Sequence, residues 1–333
     1  MGDEIMGVTL AIVGLKGHQY VVLEALRELP EVEIVAVADD EPEALKGVPK
    51  FAGATPNTRT YAGYRELLAN HKPDIVLEAG NDRERAEVLV ACAERGIHLI
   101  SEKPLAYDLS SLDRVRKAVE KAGVTMTSLL TMRCDPAYRA LRQAVAEGAV
   151  GTVTQAGAQK SYRLGERPAW QKSRKTFSGI IPYIGIHAVD LIRWCSGREF
   201  SEVMAYSGNV GHPEMGELED SGCVMARLDN GAPAAIRLDY CRPAAAPSHG
   251  DDRVRIAGNR GVIEAMQEKV TLITHEAGPR ELPLPERVEF FPDFLEAIHT
   301  GREPYIPFAE CARSTEVVLK AREAAETGRP VRV

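Results

Sequence analysis

The chain has 333 residues, of which 44% are hydrophobic and 27% are charged, with a net charge of −7 at pH 7. This length suits two domains, and the negative charge argues against binding to nucleic acid or to a membrane surface, because both usually require a basic face. No apolar run is long enough to span a bilayer, and the acidic start Met1-Gly2-Asp3-Glu4 differs from a signal peptide.

The first part of the sequence alternates short buried strands with helices. The strands are predicted over Val8–Val13, Glu33–Ala38, Asp74–Glu78, Gly96–Ser101 and Val124–Leu130, and the helices over His18–Leu29, Tyr64–Asn70, Arg83–Arg95 and Leu109–Lys121. Buried strands separated by helices indicate a parallel sheet that is covered on both faces. The sequence therefore predicts a doubly wound α/β domain over residues 1–130.

The pattern changes after about Arg133. A helix over Pro136–Glu147 is followed by longer alternating strands, which predict an α+β domain over residues 131–333 with an open, mostly antiparallel sheet. The predicted strands are Thr152–Arg163, Ser201–Asn209, Ser221–Leu228, Ala234–Tyr240, Arg253–Ile256, Gly261–Ala265 and Val270–Thr274. Helices over Val288–His299 and Ala309–Thr327 complete the prediction.

The six cysteines are scattered and contain no Cys-x-x-Cys pair. They are typical of reduced thiols in a cytoplasmic protein, and they indicate neither a disulfide framework nor a zinc site. The histidines and carboxylates also lack the short spacing of a metal site, so no metal is predicted.

A glycine turn follows the first strand, at Gly14-Leu15-Lys16-Gly17-His18. A turn between a strand and a helix makes an anion site when the amides of the helix start face the ligand. Asp39 ends the second strand, 39 − 17 = 22 positions after Gly17, where an acidic residue would bind the ribose hydroxyls of a dinucleotide. Asp39 and Asp40 would repel a 2′-phosphate, so NAD is favoured over NADP. Lys16 stands where the fingerprint has its second glycine and could supply a cation.

Glu102-Lys103-Pro104 follows a predicted buried strand. A lysine at the carboxyl end of a parallel strand points into the crevice where such sheets bind ligands. With this motif, the chain resembles the Gfo/Idh/MocA oxidoreductase family over nearly its whole length. The other segments that carry the resemblance are the glycine turn, Pro73-Asp74-Ile75-Val76 with Asn81, Arg133-Cys134-Asp135-Pro136-Ala137-Tyr138, Gly185-Ile186-His187-Ala188-Val189-Asp190 and Arg255-Ile256-Ala257-Gly258-Asn259-Arg260-Gly261.

The resemblance implies a Rossmann domain followed by a sheet domain that forms dimer or tetramer contacts. It implies hydride transfer between NAD and a hydroxyl-bearing carbon of a sugar, inositol or related polyol. It further implies that Lys103 polarises the reacting hydroxyl and that His187 acts as the base. Two positions depart from the family pattern, because Tyr183 stands where an aspartate is usual and Arg85 where a histidine is often found.

The implied cofactor residues are Gly14, Leu15, Lys16, Gly17, His18, Asp39, Asp40, Asn81, Glu102 and Lys103. Tyr183 and His187 are four residues apart, so on one helix they would share a face, and Asp190 could orient the ring of His187. Tyr183 would donate to the substrate or relay a proton. The substrate-binding candidates are Arg133, Tyr162, Trp170, Asp190 and His249.

Other interpretations stay open at this point. His187 could be a hydrogen-bonded core residue, Tyr183 could serve packing alone, and the basic loop from Arg163 to Lys175 could be solvated. At the level of function, the same fold could use NAD for transient oxidation in a lyase, epimerase or glycosidase. It could also be a ligand-sensing regulator without catalysis.

Overall fold

The computed structural model describes residues 7–333, so the acidic start Met1-Gly2-Asp3-Glu4 lies outside the described residues. The chain divides into two compact units. The first contains the chain to Leu129 and the later segment Glu289–Ala312, and the second contains Leu130–Val288 and Arg313–Val333.

The first unit is built on a parallel sheet. Its strands are β1 Val8–Val13, β2 Val32–Ala38, β3 Ala54–Tyr61, β4 Ile75–Glu78, β5 His98–Ser101 and β6 Met126–Ser128. They are ordered β3-β2-β1-β4-β5-β6 and every neighbouring pair is parallel. The order reverses between β1 and β4, which places a ligand crevice at the carboxyl ends of these strands.

Five helices accompany this sheet: α1 Tyr20–Ala25, α2 Pro42–Leu45, α3 Tyr64–Asn70, α4 Arg85–Ala93 and α5 Leu109–Ala122. Asp108 caps the start of α5 by accepting a hydrogen bond from the Ser111 amide at 2.8 Å, and Gly123 ends that helix at φ 65°. The predicted helix over His18–Leu29 is shorter in the structure, because α1 gives way to a 3₁₀ turn at Leu26–Glu28. β3 was not predicted, since most of its residues are exposed and polar.

The second unit has three helices before and within its sheet, α6 Pro136–Ala146, α7 Ile180–Tyr183 and α8 Gly185–Ser196. Its strands are β7 Val153–Tyr162, β8 Phe200–Gly208, β9 Ser221–Leu228, β10 Pro233–Asp239, β11 Gly250–Gly258, β12 Gly261–Met266, β13 Lys269–Thr274, β14 Arg280–Glu281 and β15 Val331–Arg332. The sheet order is β14-β13-β12-β11-β7-β10-β9-β8-β15, and β7 with β10 is its parallel pair. The predicted combination of a parallel sheet with a mostly antiparallel sheet is confirmed.

Alternate residues of this second sheet face opposite environments. Ala234, Ile236 and Leu238 of β10 are buried, whereas the residues between them are largely exposed. The open face carries large apolar side chains, since Tyr206 is 62% exposed and Met225 is 70% exposed.

The predicted division at residue 130 assigned the whole of residues 131–333 to the second domain. In the structure the first unit also includes α9 Phe290–Thr300 and the start of α10 Phe308–Thr327. α9 contacts α1, and Thr127 of β6 donates a hydrogen bond to the carbonyl oxygen of Ile306 at 2.8 Å. The chain therefore returns to its first unit, which a single boundary cannot describe.

Among the residues that the structure describes, no helix combines the length and the apolar character needed to cross a membrane.

Candidate cofactor and catalytic sites

The glycine turn after β1 brings two strand ends into close contact. Gly14 has φ +84°, and a Cβ atom there would lie 2.3 Å from the backbone nitrogen of Gly80, just after β4. A Cβ on Gly17 would lie 2.4 Å from Oε1 of Glu102. Both positions therefore require glycine, the first for its backbone conformation as well as for space.

Protein side chains occupy the amides of this turn. The Leu15 amide donates to Oδ2 of Asp39 at 2.7 Å, the Gly17 amide to Oε1 of Gln19 at 3.1 Å, and the His18 amide to Oε1 of Glu102. These three amides therefore already have acceptors within the protein, and cofactor binding at this turn stays a prediction. Acidic residues that follow the neighbouring strands accept hydrogen bonds from the turn, and the side chain of Gln19 accepts one from the Gly17 amide.

Lys16 lies against the acidic residues after β2. Its Nζ is 3.3 Å from Asp39, 2.7 Å from Asp40 and 2.9 Å from Glu41. The hydrogen bond from Lys16 holds the pKa of Asp40 below its usual value. Burial alone would lower the pKa of Lys16, but its carboxylate partners raise it well above the usual value. Lys16 is thus paired with this acidic cluster, and its contact with the cofactor stays a prediction.

A cleft with about 430 Å³ of empty space lies at the carboxyl ends of β1, β2 and β4. Residues from all three strand ends line it, including Gly14, Lys16, Asp39, Asp40, Gly80 and Asn81. Asp39 is only 4% exposed, and its Oδ1 also accepts a hydrogen bond from the Glu41 amide at 2.7 Å. A crevice at the topological switch point with an acidic second strand end fits the nucleoside half of NAD.

Asn81 shapes the same crevice through the backbone. Its Oδ1 accepts hydrogen bonds from the amides of Arg83 and Glu84, at 3.1 and 3.2 Å, immediately before α4. Asn81 therefore fixes the turn that forms one wall of the cleft. Its predicted contact with the cofactor stays a prediction.

The Glu102-Lys103-Pro104 segment follows β5 and connects with the glycine turn. Oε1 of Glu102 is 2.7 Å from Nδ1 of His18, and its Oε2 accepts a hydrogen bond from the Lys103 amide at 3.1 Å. Burial would raise the pKa of Glu102, but His18, Lys103 and Arg85 together hold it well below its usual range. Lys103 is 2% exposed, and the peptide bond between it and Pro104 is cis.

Arg85 fixes this segment from the other side, a role that the sequence analysis missed. Its guanidinium bonds to Glu78 at 2.6 Å and Asp82 at 3.0 Å, and to the carbonyl oxygens of Gly80 at 2.9 Å and Pro104 at 2.7 Å. Burial raises the pKa of Glu78 although Arg85 opposes that shift. Two carboxylates around the end of a buried strand were the available indication that a buried cation would be needed.

Tyr183 and His187 lie in the second unit, on separate helices. α7 ends at Tyr183 and α8 begins at Gly185, so the prediction of one continuous helix was wrong. The His187 amide bonds to the carbonyl oxygen of Ile184 at 3.3 Å instead of continuing the ladder from Tyr183. The break at Ile184 removes the argument that a spacing of four gives a shared face.

Trp170 belongs to an aromatic cluster with Phe177 and Tyr183. The Tyr183 ring contacts those of Phe177 and Trp170 edge-on, with centroids 5.1 and 6.0 Å apart. Gln171 donates a hydrogen bond to the Tyr183 hydroxyl at 3.2 Å. Trp170 therefore packs against a predicted catalytic residue, and its role in substrate binding stays a prediction.

Arg133 and Asp190 form a buried ion pair rather than a substrate site. Arg133 donates to both carboxylate oxygens of Asp190, at 2.8 and 2.6 Å, and the Ser314 hydroxyl donates to the same carboxylate at 2.8 Å. Arg133 is 1% exposed and Asp190 2%. Each charge therefore already has a buried partner, which argues against substrate binding by either residue. The orientation of His187 by Asp190 stays a prediction.

Tyr162 and His249 stack on each other, with ring centroids 5.4 Å apart. The Tyr162 hydroxyl donates to Asp252 at 3.2 Å, and Lys160 pairs with the same carboxylate at 2.6 Å. Burial lowers the pKa of Lys160 and raises that of Tyr162 well above its usual value. Lys160 was missed, although it occupies an inward-facing position of β7 that the alternation of Ala156 and Ala158 marks.

Across the described part of the chain, no three histidine, cysteine or acidic side chains come together as a potential metal-binding group.

Two family models match the chain. A model of an oxidoreductase family with an NAD-binding Rossmann fold matches residues 8–129, and the model of the Gfo/Idh/MocA C-terminal domain matches residues 138–264. Each match lies within one of the two units described above, and together they correspond to the resemblance predicted from the sequence.

Named relatives agree with these matches. An oxidoreductase structure from Thermotoga maritima is 34% identical and superposes with a TM-score of 0.91, covering 98% of this chain and 100% of that one. The myo-inositol 2-dehydrogenase of the same organism is 24% identical over 97% of this chain and 98% of its own length. The structure of a levoglucosan dehydrogenase with NADH has a TM-score of 0.83 at 19% identity, covers 98% of this chain and 99% of that one, and is similar in fold.

Proposed function

This chain belongs to the Gfo/Idh/MocA family of oxidoreductases, and we propose that it transfers a hydride between NAD and a hydroxyl-bearing carbon of a sugar, inositol or related polyol. The observation that carries the proposal is the position of Lys103. It is a buried cation at the end of β5, and its neighbour Glu102 is bonded to the glycine turn after β1. The name of the inositol-oxidising relative supports the substrate class.

In this proposal Lys103 stabilises negative charge on the reacting oxygen. When a secondary alcohol is oxidised its oxygen loses a proton, and a fixed cation helps most where charge develops. Bound nicotinamide supplies the hydride acceptor. Glu102 and Arg85 hold the backbone on both sides of Lys103, through the Lys103 amide and the Pro104 carbonyl oxygen, so they are positioning residues.

His187 is the proposed base, because an imidazole has an ordinary pKa close to neutral pH. Tyr183 is proposed to donate to the substrate, with Gln171 fixing its hydroxyl at 3.2 Å. Because Tyr183 and His187 lie on separate helices, the proposal rests on each residue separately. The transient-oxidation and regulator alternatives have no support from the named relatives.

We propose NAD rather than NADP as the cofactor. Asp39, Asp40 and Glu41 carry three negative charges and Lys16 one positive charge, so the cluster beside the cleft keeps a net charge of −3 + 1 = −2. A 2′-phosphate would meet this negative charge, whereas two ribose hydroxyls could donate to it.

A homodimer or homotetramer in the cytoplasm is proposed as the working form. The exposed Tyr206 and Met225 on the open face of the second sheet support an interface between copies, because large apolar groups grouped on one face mark contact surfaces. The location rests on the scattered cysteines, which suit a reducing compartment.

The experiment that tests the proposal is a panel of sugars and inositols incubated with NAD, in which NADH absorbance is followed. Net NADH with at least one member is the expected result. Product without net NADH would replace the proposal with transient oxidation. NAD binding without turnover of any member would favour the regulator.

A further inference from the structure

Arg163 and Arg167 follow β7, in the loop that leads to the aromatic cluster. Within residues 7–333, neither guanidinium has a carboxylate at ion-pair distance. Arg163 donates to the carbonyl oxygen of Ala246, and Arg167 donates to Gln171 Oε1 and to the Arg163 carbonyl oxygen, both at 3.4 Å. The Arg167 guanidinium therefore contacts the backbone of Arg163, and within the described residues both cations have only neutral hydrogen-bond partners.

Each of these arginines also has a buried N–H donor that lacks a hydrogen-bond partner in the described part of the chain. The Nε atoms of Arg163 and Arg167 are inaccessible to solvent and have no hydrogen-bond partner within the described chain. A buried donor without a partner costs free energy, and for a charged group the cost is larger than for a neutral one. An unsatisfied buried donor requires an explanation, and a bound ion is one of those that apply to a charged group.

The surroundings stabilise the guanidinium groups without neutralising them. The Arg167 guanidinium lies over the Tyr240 ring, 4.2 Å from its centroid. Burial, together with the charges of Arg167 and Arg163, lowers the pKa of His249. The neighbouring Asp252 is already bonded to Lys160 at 2.6 Å, so that pair adds no net negative charge here.

This pair of arginines is connected to a proposed catalytic residue within the same unit. Arg167 bonds to Gln171, and Gln171 bonds to the Tyr183 hydroxyl at 3.2 Å. A substrate whose anionic group is bound by the arginines would therefore also contact Tyr183. A guanidinium fork matches the planar geometry of an oxyanion.

We infer that Arg163 and Arg167 form an oxyanion subsite and that the substrate is an acidic sugar or polyol, carrying a carboxylate or a phosphate group. This inference deepens the proposed function and rests on it for the reaction. Tyr240 and Gln171 are positioning residues for Arg167. The ring face of Tyr240 contacts the guanidinium, and Gln171 Oε1 accepts a hydrogen bond from Arg167 Nη1.

The test compares matched substrates with the full-length protein and NAD. The panel contains glucose, glucuronate and the phosphate monoester of glucose, with the corresponding members of the galactose and mannose series. An acid should exceed its neutral counterpart by about tenfold or more in kcat/KM, which is the factor expected of one hydrogen bond to a charged group. The carboxylate and phosphate members identify which oxyanion is used.

Arg163→Gln and Arg167→Gln should each lower kcat/KM for the preferred acid by about tenfold or more beyond any effect on its neutral counterpart. Arg163→Lys should retain part of the preference, because it keeps the charge. The matched control is Arg280→Gln, an exposed arginine on β14, which should change neither value. Thermal melting of each variant establishes that it is folded.

Calorimetry measures binding of the same acids in the absence of turnover, and it distinguishes the oxyanion subsite from the proposed function. Acid binding that Arg163→Gln abolishes, with no NADH formed, keeps the subsite and rejects the proposed function. NADH formed equally well from neutral members, with no effect of either arginine variant, keeps the proposed function and overturns the subsite. Absence of binding by every acid also overturns it.

Discussion

Glu102 joins the catalytic segment to the glycine turn through His18, with Oε1 of the carboxylate 2.7 Å from Nδ1 of the imidazole. The same carboxylate fills the space that a side chain at Gly17 would require. The residue before the proposed catalytic lysine and the turn before α1 are thus parts of one hydrogen-bonded arrangement in the crevice.

Glu102→Gln should therefore destabilise the protein at pH 7 by about 1–3 kcal/mol, the usual cost of weakening a buried hydrogen bond to a charged group. The pKa of Glu102 in the folded state lies below its ordinary value of 4.5. Its stabilisation is consequently present above about pH 4.5 and is lost as the pH falls toward the folded-state pKa. Thermal melting at several pH values should show the two proteins converging in acid, and a constant difference down to acid pH would contradict the assignment.

Arg85→Met should destabilise the first unit strongly, by about 3–5 kcal/mol, because Glu78 and Asp82 would be left buried without their cation. Arg114→Met is the matched control. Arg114 pairs with Glu87 on the surface at 2.7 Å, and loss of an exposed pair costs under about 1 kcal/mol. Denaturant unfolding measures both, and equal midpoints for the two variants would show that Arg85 does not hold the segment together.

Asp190→Asn should lower stability rather than catalysis. The change leaves Arg133 buried beside a neutral amide, at a cost of about 3 kcal/mol or more. Because Asp190 is bonded to Arg133 and Ser314, the folded fraction should keep its kcat and its pH profile. A shifted pH profile at unchanged stability would instead support the prediction that Asp190 orients His187.

The regular elements of the core could be predicted because burial and periodicity specify them. β1, β2, β4 and β5 are short apolar runs, and α5 has a capping aspartate and a terminal glycine. β3 could not be predicted in this way, since a polar edge strand gains its pairing only from β2. The return of α9 to the first unit depends equally on tertiary contacts.

The residue types of the candidate site could be predicted from the sequence, but their bonding partners could not. Lys103 and Asp39 lie at strand ends, as the sequence predicted, because strand ends follow from the sheet itself. The pairing of Arg133 with Asp190 joins residues 57 positions apart, and that of Lys160 with Asp252 joins residues from two different strands. Local spacing carries no information about such pairs, so Arg133 was assigned to the substrate and Lys160 was missed.

Asp39→Asn tests the proposed cofactor preference. The substitution keeps an oxygen that can accept from the Leu15 amide but removes one charge from the acidic cluster. The ratio of kcat/KM for NAD over NADP should exceed one in the unmodified protein and fall about tenfold in the variant, since a nearby like charge is lost. Asp113→Asn, an exposed residue of α5 paired with Lys117, is the control and should leave the ratio unchanged. A protein that prefers NADP from the outset would contradict the proposal.

Lys103 is proposed to stabilise developing charge during hydride transfer, and the most direct measurement of this role is the rate of NADH formation by Lys103→Met at saturating NAD and substrate. We expect kcat to fall by a factor on the order of 10²–10³. We also expect the variant to melt as a folded protein and to bind NAD in calorimetry. A Lys103→Met protein that is folded, binds NAD and forms NADH at the unmodified rate would contradict the proposed role.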